Sequence, residues 1–97
     1  MEIHPYTKPV YTMSVTAENC GIHPQTLRFY ERQKLVVPYR TESGQRMYSQ
    51  KDWDDIKEIR ELTREKGVNL AGVRIILELR AEIAKLTAPQ EEQKTEI

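Results

Sequence analysis

Apolar residues recur every three or four positions in four stretches of the chain, which predicts four helices. The first two stretches are short and are joined by a turn containing Gly21. The last two are longer and follow a segment whose pattern favours strands. The predicted fold is mainly α, a winged helix-turn-helix with a short two-stranded wing and a short C-terminal dimerisation helix.

The two short helices have clear start and stop signals. Thr12 or Ser14 can cap the first helix, and Gly21 can end it in a left-handed conformation. His23 precedes Pro24, and proline suits the first position of a helix. The apolar positions are Met13, Ala17 and Cys20 in the first helix, and Leu27 and Tyr30 in the second.

Residues 33–48 have a different pattern. The β-prone run at 35–37 ends at Pro38, and residues 47–48 can form a returning strand. Gly44 lies between them and supplies the positive φ that a tight hairpin requires. We therefore expect a two-stranded wing with a basic tip.

Two longer helices follow the wing. Ser49 and Asp52 form a capping-box pattern, and Lys66-Gly67 is a stop signal. Asn69 is expected to cap the last helix. The predicted core positions are Trp53, Ile56, Ile59, Leu70, Val73 and Ile76, and Leu62 and Leu77 belong to the apolar stripes of the same two helices.

The last helix carries a short heptad-like seam that ends near Ala88-Pro89. Such a seam either joins two copies of the chain or packs on its own domain, and the thin core of a small chain favours a dimer contact. Its residues are Ile76, Leu79, Ile83 and Leu86. The expected organisation is a flexible lead-in (1–10), a DNA-binding domain (11–79), a short dimerisation helix (80–88) and a disordered acidic tail (89–97).

Composition narrows the class of protein. The chain has 97 residues and one cysteine, Cys20, so we expect one reduced, cytoplasmic domain without a disulfide, a membrane span or a secretory signal. Its formal net charge is zero, but residues 23–48 hold five cations against two carboxylates. Basic residues interleaved with aromatic ones favour a nucleic-acid contact, although a solvated face has the same composition. No catalytic, metal or cofactor motif is evident, so we expect no enzyme activity and no small-molecule ligand.

Several motifs together resemble the DNA-binding domain of MerR-family transcriptional regulators. The likeness covers roughly residues 11–79, and its order and spacing match a helix-turn-helix, a wing and a helix pair. Within the family the chain is similar to the HspR group of heat-shock repressors. The first resemblance is carried by Tyr11 to Ser14, Gly21-Ile22, Thr26 to Arg32, Leu35-Val36, Arg40 to Gly44, Arg46 and Tyr48-Ser49, and the second by Ser14-Val15, Gly21 to Arg28 and Gly67 to Val73.

This resemblance implies a dimer that binds an inverted repeat in double-stranded DNA, at the nucleoid of a bacterial cytoplasm. It also implies repression of chaperone genes, with the chaperone DnaK as a possible co-repressor. The expected DNA-contacting residues are His23, Gln25, Thr26, Arg28, Phe29, Tyr30, Arg40, Arg46 and Tyr48.

Each contact has a simpler structural alternative. Arg28 could pair with Glu31 or Glu18, and His23 could serve only as a helix cap. The spacing of Tyr30 from Leu27 indicates a core position, but a phenol can be buried at one end and bind phosphate at the other, and the resemblance implies this dual role. The wing residues could form a solvated hairpin. Two other functions also remain open: a protein-interaction adaptor that modulates a chaperone, and an architectural or excisionase-like DNA binder that reads shape.

Overall fold

The computed structural model describes the backbone of residues 5–96 and the side chains of residues 5–87. Two compact units divide between Glu61 and Leu62. None of the helices within the described residues is long and apolar enough to cross a membrane. The elements are a 3-10 turn (Pro5–Thr7), β1 (Tyr11–Thr12), α1 (Met13–Cys20), α2 (Pro24–Arg32), β2 (Tyr39–Arg40), β3 (Arg46–Tyr48), α3 (Gln50–Arg60), a π-helical turn (Glu61–Glu65) and α4 (Leu70–Glu96).

The helix-turn-helix pair forms where the sequence predicts it. The Thr12 side chain accepts a hydrogen bond from the amide of Val15 at 3.3 Å and caps α1. Gly21 ends α1 with a φ of 69°. His23 then caps α2, because its Nδ1 accepts a hydrogen bond from the Gln25 amide at 3.0 Å. These local caps set the short turn between the two helices.

Trp53 of α3 anchors α1. Its indole Nε1 donates a hydrogen bond to Thr16 Oγ1 at 2.9 Å, and both residues are buried. The Trp53 ring also packs against Tyr11 of β1, with ring centroids 4.0 Å apart. Ala17 and Cys20 are each 2% exposed, which confirms the predicted buried face of α1.

The predicted two-stranded wing forms from β2 and β3, and β1 adds a third strand to the same sheet. β3 is central and pairs antiparallel with β2 and with β1, so the residues just before α1 join the sheet. The β-prone run at 35–37 is not a strand. Lys34 has a φ of 61°, and the Leu35 amide donates a hydrogen bond to the carbonyl of Tyr30, so this segment closes the end of α2 instead.

The predicted lead-in includes residues that make specific contacts in the structure, and its flexibility stays a prediction. The Tyr6 hydroxyl donates a hydrogen bond to Asp54 Oδ2 of α3 at 2.6 Å, and this bond raises the pKa of Tyr6 to about 12. The Val10 amide donates to the carbonyl of Tyr48 at 3.0 Å. Residues 1–4 of the predicted lead-in lie outside the described residues.

The predicted capping box opens α3. The Asp52 amide donates to Ser49 Oγ at 3.1 Å, and the Ser49 amide donates to Asp52 Oδ2 at 2.9 Å. The predicted stripe is buried, at 8% exposure or less for Trp53, Ile56, Ile59 and Leu62. The π-helical turn after Arg60 was not predicted. Gly67 follows this turn with a φ of 66°, in agreement with the predicted stop.

In the second unit, α4 is longer than the sequence predicts. Asn69 caps it as expected, since Asn69 Oδ1 accepts a hydrogen bond from the Gly72 amide at 2.8 Å, and Val73 is fully buried. The helix continues past the predicted end at Thr87 or Ala88 and reaches Glu96. Residues 90–96 are mostly Gln, Glu and Lys, which favour helices and outweigh the single break at Pro89. Residue 97 of the predicted tail lies outside the described residues.

Candidate nucleic-acid interface

Helix α2 has a buried face and an exposed face. Leu27 and Tyr30 are 0% and 6% exposed, so they hold the helix on its unit. The opposite face carries most of the predicted contacts. His23, Gln25 and Phe29 are exposed, and Thr26 and Arg28 are half-buried. Tyr30 is thus largely buried, as its spacing from Leu27 predicts, and the contact of its hydroxyl with phosphate stays a prediction.

Arg28 faces an open cleft between α2, the start of α1 and the wing turn. The cleft has a volume of about 430 Å³, and Ser14, Gln45 and Arg46 also line it. The alternative ion pairs of Arg28 with Glu31 or Glu18 do not form among the described residues, where Glu31 pairs with two other arginines. The guanidinium of Arg28 therefore keeps its charge and its donors available.

The wing turn is closed by short-range hydrogen bonds. The Thr41 amide donates to the carbonyl of Gln45, and the Gly44 amide donates to the carbonyl of Thr41, each at 2.9 Å. Gly44 has a φ of 89°, in agreement with the predicted glycine turn. Arg40 Nη1 donates to the Gly44 carbonyl at 3.2 Å, so this predicted contact residue also braces the turn.

Glu31 joins α2 to the wing, a connection that the sequence does not predict. Arg46 Nε donates to both carboxylate oxygens of Glu31, at 2.8 and 3.0 Å. Arg40 Nη2 donates to Glu31 Oε2 at 3.2 Å. The only sequence signal for this cluster is a carboxylate within a basic segment, which does not identify its partners.

Tyr48 is a core residue rather than a wing contact. It is 0% exposed, and its hydroxyl has no hydrogen-bond partner among the described residues. Burial, followed by the negative charge of Glu31, raises the pKa of Tyr48 to about 12. Tyr48 is directly opposite Tyr11 in the sheet, and the Tyr11 ring packs against Trp53. The prediction of a DNA contact at Tyr48 does not fit this burial.

Phe29 stays at the surface, where it is 36% exposed. The guanidinium of Arg32 lies over its ring, 5.8 Å from the centroid. This distance is within the range of a cation–π contact. Phe29 thus presents an apolar edge beside the basic side chain of Arg32.

Helix α4 exposes an apolar stripe. Leu79, Ile83 and Leu86 are 56%, 62% and 67% exposed. Ile75 is 56% exposed and lies on the same face by helical spacing, one turn before Leu79. Ile76 is half-buried and lies to one side of this stripe. The heptad-like seam predicted from the sequence begins at Ile76 and therefore leaves out Ile75.

No group of three or more potential metal ligands occurs within the described residues. Cys20 is buried, and its Sγ lies 3.8 Å from the Trp53 carbonyl. Burial raises the pKa of the Cys20 thiol, which disfavours the reactive thiolate. The cysteine therefore acts as a small apolar side chain.

A helix-turn-helix with a basic, strand-built wing defines the winged helix-turn-helix class of domain. The chain belongs to the MerR family: residues 11–79 match the model described as MerR HTH family regulatory protein. This range coincides with the predicted domain. The matched relatives are transcriptional regulators rather than enzymes.

Three relatives illustrate the likeness. A Streptomyces coelicolor protein provisionally named heat shock protein HspR is 45% identical over 80 residues, which are 82% of this chain and 53% of that protein. The regulator GlnR of Bacillus anthracis is 28% identical over 89% of this chain and 66% of its own length. The crystal structure of HiNmlR, a MerR family regulator lacking the sensor domain and bound to promoter DNA, aligns with a TM-score of 0.68 and 27% identity, covering 87% of this chain and 67% of HiNmlR. The chain thus spans about half the length of the HspR relative.

Replacing Tyr48 with Phe is expected to preserve or raise stability at pH 7, because the buried hydroxyl lacks a partner. The folded-state pKa of about 12 lies above the ordinary 10.0. Ionisation of Tyr48 therefore leaves the free energy of unfolding unchanged below pH 10 and lowers it between pH 10 and 12, because the unfolded chain loses its proton first. Urea unfolding at neutral and alkaline pH should show a smaller alkaline loss in Tyr48→Phe. Tyr39→Phe, at an exposed tyrosine, is the control; an undiminished loss in Tyr48→Phe contradicts the assignment.

Proposed function

We propose that this chain is a sequence-specific DNA-binding transcriptional regulator, with α2 in the major groove and the wing on the adjacent backbone. One observation carries the proposal: Arg28 lies without an ion pair among the described residues, on the exposed face of α2, in the same cleft as Arg46. Two cations in one open cleft between a helix and a wing suit a phosphate-rich partner. The likeness to HiNmlR, whose structure is bound to promoter DNA, supports DNA binding by this chain.

Base readout would come from the first turns of α2. Arg28 can hold guanine through O6 and N7, and Gln25 can hold adenine through N6 and N7. The Thr26 methyl can meet a thymine methyl. His23 is committed to its cap through Nδ1, so only the rest of its exposed ring can reach DNA. Each good bidentate pair discriminates by about 1–3 kcal/mol.

Arg40 and Arg46 would contact the phosphate backbone or the minor groove. Phe29 and Arg32 would pack beside the same groove, since their ring and guanidinium lie together at the surface. Tyr30 and Tyr48 would support this surface from within, because both are buried. Arg40 and Arg46 of the wing distinguish this surface from that of a protein adaptor, which would not require several cations together.

A second copy of the chain would provide the second half of the DNA contact. The exposed stripe of α4 is the proposed dimer contact, and it comprises Leu79, Ile83 and Leu86 together with Ile76 at its border. A two-fold dimer reads an inverted repeat, with recognition helices about 34–36 Å apart on undistorted DNA. It also doubles the phosphate contacts of one small domain.

The regulated genes would be heat-shock or chaperone genes, and the regulator would be a repressor. The 45% identity to the HspR relative supports this finer proposal. The chaperone DnaK is then a possible co-repressor, and the protein would act at the nucleoid in the bacterial cytoplasm. No cofactor or small-molecule ligand is part of the proposal.

Selection of genomic duplexes on the purified protein, at about 150 mM salt, tests this function. We expect recovery of an inverted repeat upstream of chaperone genes. Inverted repeats elsewhere would keep the DNA-binding proposal and reject the heat-shock role. Recovery without a repeat would indicate a shape-reading architectural binder. Absence of enrichment, with and without added DnaK, would favour a protein adaptor.

Arg28→Ala is expected to abolish selective binding without unfolding the protein, because the guanidinium forms no ion pair in the described part of the chain. Loss of a bidentate base contact corresponds to about 1–3 kcal/mol of discrimination. Fluorescence anisotropy on the selected and a scrambled duplex measures the effect, and circular dichroism checks the fold. Arg64→Ala removes the same charge from an exposed residue outside the first unit and serves as the control. Equal losses in both variants would reject direct readout by Arg28.

Replacing Leu79 and Ile83 with Asn is expected to convert the dimer to a monomer, because both side chains are largely exposed on the single chain. Light scattering coupled to size-exclusion chromatography measures the mass. Ala81→Asn introduces the same side chain on a different, exposed face of α4 and should leave the dimer intact. A wild-type protein that is monomeric both alone and on DNA would reject the dimer contact.

A further inference from the structure

Glu31 occupies a position that is unfavourable for the helix that carries it. It lies in the last turn of α2, where the helix dipole disfavours a negative charge. Its side chain is only 17% exposed, so the carboxylate has also lost much of its water. A carboxylate in such a place needs cationic partners to offset both costs.

The partners of Glu31 come from two strands of the wing. Arg40 and Arg46 are directly opposite each other across the β2–β3 pair. Two like charges in that register repel. Glu31 lies within 3.2 Å of a nitrogen of each, so one carboxylate from α2 offsets the repulsion and ties both strands to the helix.

The geometry of the pair leaves part of Arg46 available. From Arg46, Glu31 accepts hydrogen bonds only through Nε. No hydrogen bond of the Arg46 Nη groups occurs within the described residues. The Arg46 side chain is 29% exposed and lines the same cleft as Arg28. Glu31 and Arg28 are three residues apart on one rigid helix. The spacing between the helix cation and the wing cation is therefore set through Glu31.

We infer that Glu31 is a positioning residue for DNA recognition: it fixes Arg46 and Arg40 of the wing relative to Arg28 of α2. This inference rests on the proposed DNA-binding function. Glu31 itself touches no DNA in this arrangement, and its negative charge lowers the attraction of the wing for any duplex. Removal of this carboxylate should thus lower the selectivity for one duplex without lowering the non-selective affinity. Removal of a purely structural residue would not have this effect.

Glu31→Gln is expected to lower the ratio of affinities for the selected and the scrambled duplex by about tenfold, as for loss of one charge-assisted pair. Non-selective affinity should be kept or rise, because two arginines are released. Glu42→Gln is the matched control, since Glu42 is an exposed wing residue and the change of charge is the same. In the control both affinities should rise together and their ratio should stay constant. An unchanged ratio in Glu31→Gln overturns the inference.

Arg46→Lys gives a second test if Glu31→Gln folds poorly. Lysine keeps the charge and lacks Nε, so it cannot form the same two-oxygen contact. We expect the ratio of affinities for the selected and the scrambled duplex to fall by the same factor. The double variant, Glu31→Gln with Arg46→Lys, should lose no more of this ratio than either single variant. Additive losses, or a constant ratio in Arg46→Lys, contradict positioning by Glu31.

Nitrogen-15 NMR of the DNA-free protein separates this inference from the proposed function. The Arg46 Nε–H should give a protected signal in the wild type and lose it in Glu31→Gln. If the wild type selects no duplex and the signal behaves as expected, the DNA-binding proposal fails, while the positioning of Arg46 by Glu31 is confirmed. A signal that is unprotected in the wild type, or unaffected by Glu31→Gln, overturns the positioning of Arg46 by Glu31.

Discussion

The buried contact between Trp53 and Thr16 determines how the first unit is assembled. A small domain buries little surface, so one large aromatic residue contributes a large share of its core. The Trp53 indole satisfies its single donor on Thr16 and covers Tyr11, which brings α1 and β1 onto α3 at one point. The orientation of α1 sets that of α2, because only a short turn at Gly21 separates them.

The candidate interface is built on this core by two further connections. Leu27 and Tyr30 turn one face of α2 inward, so Gln25 and Arg28 face outward. Glu31 then connects the far end of α2 to the wing. A helix held at both ends presents its side chains in one arrangement, which selective recognition requires.

Features coded by neighbouring residues were predictable from the sequence. Thr12, His23, Ser49 and Asn69 all cap helices as expected, because a cap depends on a few adjacent positions. Gly44 is in the expected turn for the same reason. The family resemblance added the order of the elements, which local patterns alone do not provide.

Features that join distant segments were not predictable in the same way. The hydrogen bond from Tyr6 spans 48 residues, and β1 pairs with residues of β3 that lie 35 and 37 positions further along. The burial of Tyr48 follows from the face of the sheet on which it lies, and a shift of one residue would reverse that face. The partners of Glu31 likewise depend on the register between β2 and β3.

The edges of the sheet also limit strand pairing between copies of the chain. Both of its edges, β1 and β2, are only two residues long. Pro9 and Pro38 stand just before them and lack the amide hydrogen that an incoming strand would need. Short edges next to proline make poor templates for uncontrolled strand pairing. The wing can therefore carry the exposed Tyr39, close to the exposed Val37, with little risk of edge-to-edge aggregation.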